Sequence, residues 1–267
     1  MDAEDLFGML VPVTFLAMMA LEAAVPARSF PARRGWRLIG LGCFLVMGAI
    51  STMAPMLLPQ QWVAAHRLLD LSAVPLPLAV VAGYLAVSLA SYAFHRVCHR
   101  AHFLWRLFHQ MHHSPGRVDM AGAAFFHPLD MLAYALISPL VCVLVLGLSP
   151  LAAAATGFVA AFYAFFQHCN VRTPRWVGFI IQRPESHCRH HEYGVHAFNY
   201  SDLPLWDIAF GSFCNPESWE GRAGFGDEAS RRIGAMLAFA DVNPGQSDAS
   251  MAGSGAKGAP AGTGART

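Results

Sequence analysis

Residues 74–116 read VPLPLAVVAGYLAVSLASYAFHRVCHRAHFLWRLFHQMHHSPG, an uncharged apolar run that passes straight into a histidine cluster. Its first part, 74–94, matches the roughly 20 residues that a bilayer-spanning helix requires. His95-x-x-x-His99 and His109-x-x-His112-His113 follow, before Ser114-Pro115-Gly116 breaks the pattern. On a helix, spacings of three and four place side chains on one face, a turn apart. A third group, His187-x-x-His190-His191, lies downstream. One histidine on an apolar face is usually a satisfied core residue, but three groups at ligand spacing are not explained that way. Neutral imidazole is a common ligand for zinc, copper, iron and nickel. Eight such ligands exceed what one four-coordinate zinc uses, so a two-metal centre is expected.

The composition agrees with a membrane setting. The 267 residues are 55% hydrophobic and 13% charged, outside the usual soluble balance. The length suits one domain plus accessories. A net charge of +1 excludes a nucleic-acid binder, which needs a basic stripe. The six cysteines, in apolar runs or beside the histidine motifs, do not read as a disulfide framework, and none has CxxC spacing, so neither a zinc ribbon nor a redox pair is indicated. They are expected to be reduced and to pack as small hydrophobes.

Five apolar runs are candidate spans: 6–25, 38–58, 74–94, and a close pair at 131–148 and 151–167 that is either a full or a re-entrant hairpin. Acidic residues (Asp2, Glu4, Asp5) precede the first run where a signal peptide is basic, so a retained helix is expected. Arg28, Arg33, Arg34 and Arg37 crowd the first connection, which the positive-inside rule assigns to the cytoplasm. Alternating spans then bring all three histidine groups to that same face. The expected fold is all-α: an integral-membrane helical bundle of four to five transmembrane segments, with a cytoplasmic helical cap holding a histidine-rich dimetal site. It divides into an N-terminal hairpin and outer loop (1–73), a catalytic unit (74–242) and a disordered tail (243–267). The tail has almost no large apolar residue with which to build a core.

In chain order the three motifs read HRVCH, HQMHH and HCRHH. Their flanks are LWRLFHQMHH, FFHPLD at 125–130, QHCN at 167–170 and NYSDLPLWDIAFGSF at 199–213. This set resembles the fatty acid hydroxylase and sterol desaturase superfamily of integral-membrane non-haem di-iron enzymes, over roughly residues 75 to 220. The resemblance implies metal ligation by His95, His99, His109, His112, His113, His187, His190 and His191, with His168 as a further ligand. It leaves His127, His196 and Asn199 as additional ligands or as residues that orient one. Apart from the metal centre no catalytic residue is implied.

The same resemblance implies two iron ions, with O2 as co-substrate, and hydroxylation of an unactivated C–H bond in a fatty-acyl, sterol-like or other lipid. The alternatives are a desaturase on the same fold and, further off, a zinc-dependent membrane hydrolase. The HPGG motif of a fused haem domain is missing, the one His-Pro being His127-Pro128. A separate ferredoxin or flavoprotein donor is therefore implied, and the bacterial inner membrane is the expected location. Asp119, Asp130, Glu185 and Glu192 lie beside the motifs and are expected to accept imidazole N–H bonds or to face solvent. His102 and His66 are expected to be bystanders. Trp206 and Asp207 are expected to pack the cap.

Overall fold

The computed structural model describes residues 2–244. Most of the expected tail thus lies outside the described residues. Helix α1 covers Ala3–Ala24. α2 covers Trp36–Met53 and runs on as a tighter 3-10 turn to Leu57. After the short α3 (Gln60–Ala65) comes α4 (Leu76–Arg100). A composite arm follows: α5 (His102–Leu104), a π-helical turn (Trp105–His109) and α6 (Gln110–His113). α7 (Pro128–Pro139) continues as a π-helical stretch to Val145, and α8 covers Pro150–His168. Four short helices follow among the described residues: α9 (Pro184–His190), α10 (Pro204–Ala209), α11 (Asp227–Ser230) and α12 (Ile233–Leu237). Among the described residues there is no strand, only an isolated bridge between Glu192 and Ala223.

Five helices, α1, α2, α4, α7 and α8 with their extensions, are long and apolar enough to cross a membrane. At most a third of any of their apolar windows is buried within the protein, the range being 11–33%. Large apolar side chains such as Leu16, Leu45 and Leu78 point outward. A continuous exposed apolar surface of this extent is tolerated against lipid, not against water.

Proline in the first turn opens α4, α7, α8, α9 and α10. That position needs no amide donor and suits the ring's fixed φ. α7 begins at Pro128 rather than at the expected 131 because Asp130, which reads as loop, is fully buried inside its first turn. It ends at Val145 rather than 148. There the chain turns through Gly147 at φ +58°, where a Cβ would stand 2.2 Å from the Leu69 carbonyl oxygen. Leu68, Leu69 and Leu71 donate their amides to the carbonyls of Leu144, Val145 and Leu146. The helix end's spare acceptors are thereby satisfied.

α8 lies between α1 and α4, and α2 packs on α7 and on the short turn Gly122–Ala124. Phe15 of α1 stacks on Phe44 of α2 at 4.0 Å and meets Phe165 of α8 edge-on at 5.4 Å. α4 and α8 approach closely at Gly83, where a Cβ would fall 2.5 Å from Thr156 Oγ1. Small residues permit such contacts between membrane helices. At the histidine-bearing end, Trp36, Trp105, Met111, Phe125, Phe225 and Met236 form an apolar core. The segment after α12 returns to the composite arm. Gln110 donates to the Ala240 carbonyl and accepts from the Val242 amide, each at 2.9 Å, and Arg106 donates to the Phe239 carbonyl. All six cysteines are free thiols.

Candidate metal centre

The last turns of α4 carry His95 and His99 four residues apart, both buried and facing inward. The helix breaks at Ala101 (φ −114°, ψ 108°). The helical face that carries His95 therefore stops at His99. His102 turns outward and pairs with Asp241 at 2.6 Å. The π-helical turn then adds a residue to one turn of the arm and delivers His109, with His112 and His113 following on α6. His168 ends α8, and α9 brings His187 and His190, with His191 at its cap.

These nine side chains converge in two buried groups. His95, His99, His109, His113 and His190 form one, and His112, His168, His187 and His191 the other. Within each group the ligand-capable atoms lie within 4.8 Å of one another. The groups adjoin, the His113 and His191 rings stacking at 4.1 Å.

Four of the nine are anchored by their outer nitrogens. His95 Nδ1 donates to the Tyr200 carbonyl at 2.6 Å, His190 Nδ1 to that of Phe198 at 2.6 Å, and His168 Nδ1 to that of Ala164 at 2.7 Å. His109 Nδ1 meets Asp130 Oδ2 at 2.8 Å. A carbonyl only accepts, so each of these neutral rings carries its proton on Nδ1 and presents a bare Nε2 lone pair. The inner nitrogens crowd together. Nε2 to Nε2 distances are 3.1 Å for His95–His99, 3.3 Å for His112–His168 and 3.0 Å for both His168–His187 and His187–His191. His109, His113 and His190 Nε2 are buried and have no hydrogen-bond partner.

Burial, reinforced by mutual repulsion, pushes His109, His112, His113, His187, His190 and His191 well below the usual imidazole range. Neutral rings are the ligating form. Converging neutral donors with orphaned lone pairs fit bound cations, and the all-nitrogen set suits iron, zinc, copper or nickel.

The remaining candidates lie outside both groups. His127 caps α7, its Nδ1 accepting from the Leu129 amide at 3.1 Å. His196 stands beside His113, Nδ1 to Nδ1 at 3.1 Å, and packs on Phe225. The Asn199 side chain donates to the Ser186 and Cys214 carbonyls and accepts from the Cys214 amide, which ties α9 to the chain beyond it. Of the four carboxylates beside the motifs only Asp130 touches one of the nine histidines. Asp119 binds the Trp36 indole, Glu185 pairs with Arg28 and Arg183, and Glu192 takes Arg189 and the Trp219 indole. The open cleft on this face, about 770 Å³ between Arg28, Arg172, Glu185 and Trp219, contains none of the nine histidines.

Sequence reasoning missed the two carbonyls that orient His190 and His95. They belong to a strained stretch in which His196, Phe198 and Asn199 have φ of 41°, 67° and 48°. Non-glycine residues in this region cost of order 1 kcal/mol each and cluster at functional sites. Asp207 holds the stretch in place, accepting from the Tyr200 and Ser201 amides at 2.8 Å and from the Ser212 hydroxyl at 2.7 Å. Burial pushes its carboxyl up to about 7. The Asn-Tyr and Trp-Asp pairs were the available signal, but a backbone carbonyl leaves no mark of its own in a sequence.

With this geometry in place, comparison with known proteins is informative. Residues 80–212 match the fatty acid hydroxylase family, a range that contains all nine histidines. An ornithine lipid hydroxylase of Rhizobium tropici is 32% identical over 156 residues, 53% of this chain and 44% of that protein. The chain thus spans less than half the length of this curated relative. No solved structure matches significantly.

Proposed function

Because this chain belongs to the fatty acid hydroxylase family through residues 80–212, we propose that it is a membrane-bound enzyme that hydroxylates an unactivated C–H bond of a lipid with O2, at a centre of two iron ions. In this reading His95, His99, His109, His113 and His190 hold one ion, and His112, His168, His187 and His191 the other. The observation that carries the reading is the convergence of nine buried, neutral imidazoles whose inner nitrogens have no sufficient set of protons to share. Bound iron supplies two-electron activation of O2, the electrons coming from a separate ferredoxin or flavoprotein.

The chain's own residues do the rest. Asp130 and the carbonyls of Phe198, Tyr200 and Ala164 fix four rings by their outer nitrogens, and such outer contacts set ligand orientation. His127, His196 and Asn199 support the α7 start, the His113 ring and α9 respectively. Phe126 lies flat on His112 at 3.9 Å, and Tyr134 and Phe94 continue the aromatic wall from there into the helices. An acyl chain set along that wall would meet the centre with water excluded. The relative's name, an ornithine lipid hydroxylase, supports hydroxylation of a lipid over desaturation.

The arginines between α1 and α2 support a cytoplasmic position for the centre and an integral place in a bacterial inner membrane. Residues 74–242 are then the catalytic unit.

Metal analysis of detergent-purified protein tests the proposal. Two irons per chain are expected, with a clear loss in both His112→Ala and His190→Ala, one from each group. A single zinc, or folded wild-type protein that takes up no iron on reconstitution with Fe(II), would favour the hydrolase instead.

A further inference from the structure

The chain beyond the third histidine motif runs alongside α4, and three contacts step along that helix in register with it. The Tyr84 hydroxyl donates to the Asp202 carboxylate. The Trp206 indole donates to Ser88 Oγ at 2.9 Å, and the Phe210 ring stacks on that of Tyr92 at 5.3 Å. Ser88 is the middle residue of α4 (Leu76–Arg100). It precedes His95 by seven residues, about 10 Å of helix, and Tyr84 lies about 6 Å further in. α10 therefore descends beside α4 to the depth of the span and does not rest on top of the bundle.

At that depth the surface is apolar. The 3-10 turn Arg175–Phe179 packs on α10, the Phe179 and Phe213 rings standing 5.7 Å apart. Trp176, Phe179, Ile180, Leu205, Ile208 and Phe210 point outward, each 46–64% exposed. Among the exposed residues of 175–180 and 203–211 the one charge is Arg175, and Asp207, the one acid in these segments, is buried. Leu85 and Leu89, one position round the helix from Tyr84 and Ser88, continue the exposed apolar surface onto α4.

A contiguous apolar surface of this kind marks contact with a membrane or with another protein. Its depth along α4 and its continuity with the lipid-facing side of that helix favour the membrane. Irregular backbone is tolerated at such depth only where protein satisfies its polar groups. Here Asp207 takes the Tyr200 and Ser201 amides from within, which leaves apolar side chains outside. We infer that residues 175–180 and 203–211 form a leaflet-embedded segment, its outward side chains lying among the acyl chains of the bilayer beside α4. This part of the expected cytoplasmic cap is then a membrane surface. The inference rests on α4 crossing the membrane and not on the oxygenase reading.

Trp176 reports directly on its surroundings. Full-length protein is reconstituted in phosphatidylcholine vesicles, and the emission missing from Trp176→Phe is assigned to Trp176. Lipid brominated midway along its acyl chains should abolish that component, and iodide present on both sides of the bilayer should leave it intact. Quenching by iodide overturns the inference, because the residue then faces water. Quenching by neither agent also overturns it, since a second copy of the chain or a partner protein then covers the face. Ile208→Trp repeats the measurement on α10 as added emission, and it decides should Trp176→Phe fail to fold.

Discussion

At the scale of single residues, the side chains behind the ligands decide how the centre is held. Asp130 is fully buried and grips His109 through Oδ2. Asp130→Asn preserves the shape but weakens the acceptor, and loss of such outer partners typically costs 10–100-fold in metal affinity. A loss near that size is expected in competition titrations with a chelator, at unchanged helix content by circular dichroism. Wild-type affinity in the variant would show that Asp130 is only a packing residue.

Asp207 supplies a pH dependence. Burial raises its carboxyl to about 7, against about 3.9 in an unfolded chain. The folded state therefore holds the extra proton between those values. Its contribution is fully present below about pH 4 and is lost as pH rises toward 7, by at most about 1.4 kcal/mol per unit. Asp207→Asn should flatten that slope in denaturation measured from pH 5 to 7, whatever it does to absolute stability. An unchanged slope would mean that the three donors around Asp207 outweigh its burial.

At the scale of elements, the centre depends on irregularity placed next to regular helix. α4 presents two histidines on one face, as its spacing requires. The arm's π-helical turn supplies His109 from a short segment, and π-turns are found most often at functional sites. α9 is only seven residues long, too short to be stable alone, and is held by its surroundings. The Asn199 side chain makes three hydrogen bonds beside it, from a left-handed backbone position that asparagine tolerates better than most residues. Asn199→Ala should cost about 3 kcal/mol at roughly 1 kcal/mol per bond, read as a lower melting temperature with early loss of metal. A variant as stable as wild type would show that the bracket is redundant.

At the scale of the whole molecule, an apolar belt of five helices carries the two histidine groups at one end. The apolar belts of five helices leave the polar groups at the two ends. Ser72 is exposed on the connection before α4, and Glu220 is exposed among the short helices that follow α8. If the histidine-bearing end faces the cytoplasm, a membrane-impermeant maleimide added to intact cells should label Ser72→Cys. Glu220→Cys should react only after permeabilisation, above the background of six native thiols of which four are buried. The opposite pattern would reverse the orientation drawn from Arg28, Arg33, Arg34 and Arg37.

Much of this was legible beforehand, for a definite reason. Membrane spans and helical ligand pairs are local properties: an apolar run must satisfy its own backbone hydrogen bonds, and histidines four apart on a helix share a face whatever surrounds them. The five spans, the all-helical fold and the resemblance to the fatty acid hydroxylases therefore followed from the chain alone. The boundaries shifted where a charged residue was buried instead of exposed, as at Asp130. What only tertiary structure decided was the division of nine histidines into groups of five and four, with His113 and His190 in one and their neighbours His112 and His191 in the other. Adjacent residues on a helix point about 100° apart, so which group each one joins is set by how the arm, α8 and α9 cross. The carbonyls of Phe198 and Tyr200 that hold His190 and His95 belong to the same class. They are contacts between segments far apart in sequence, fixed by packing rather than by local spacing.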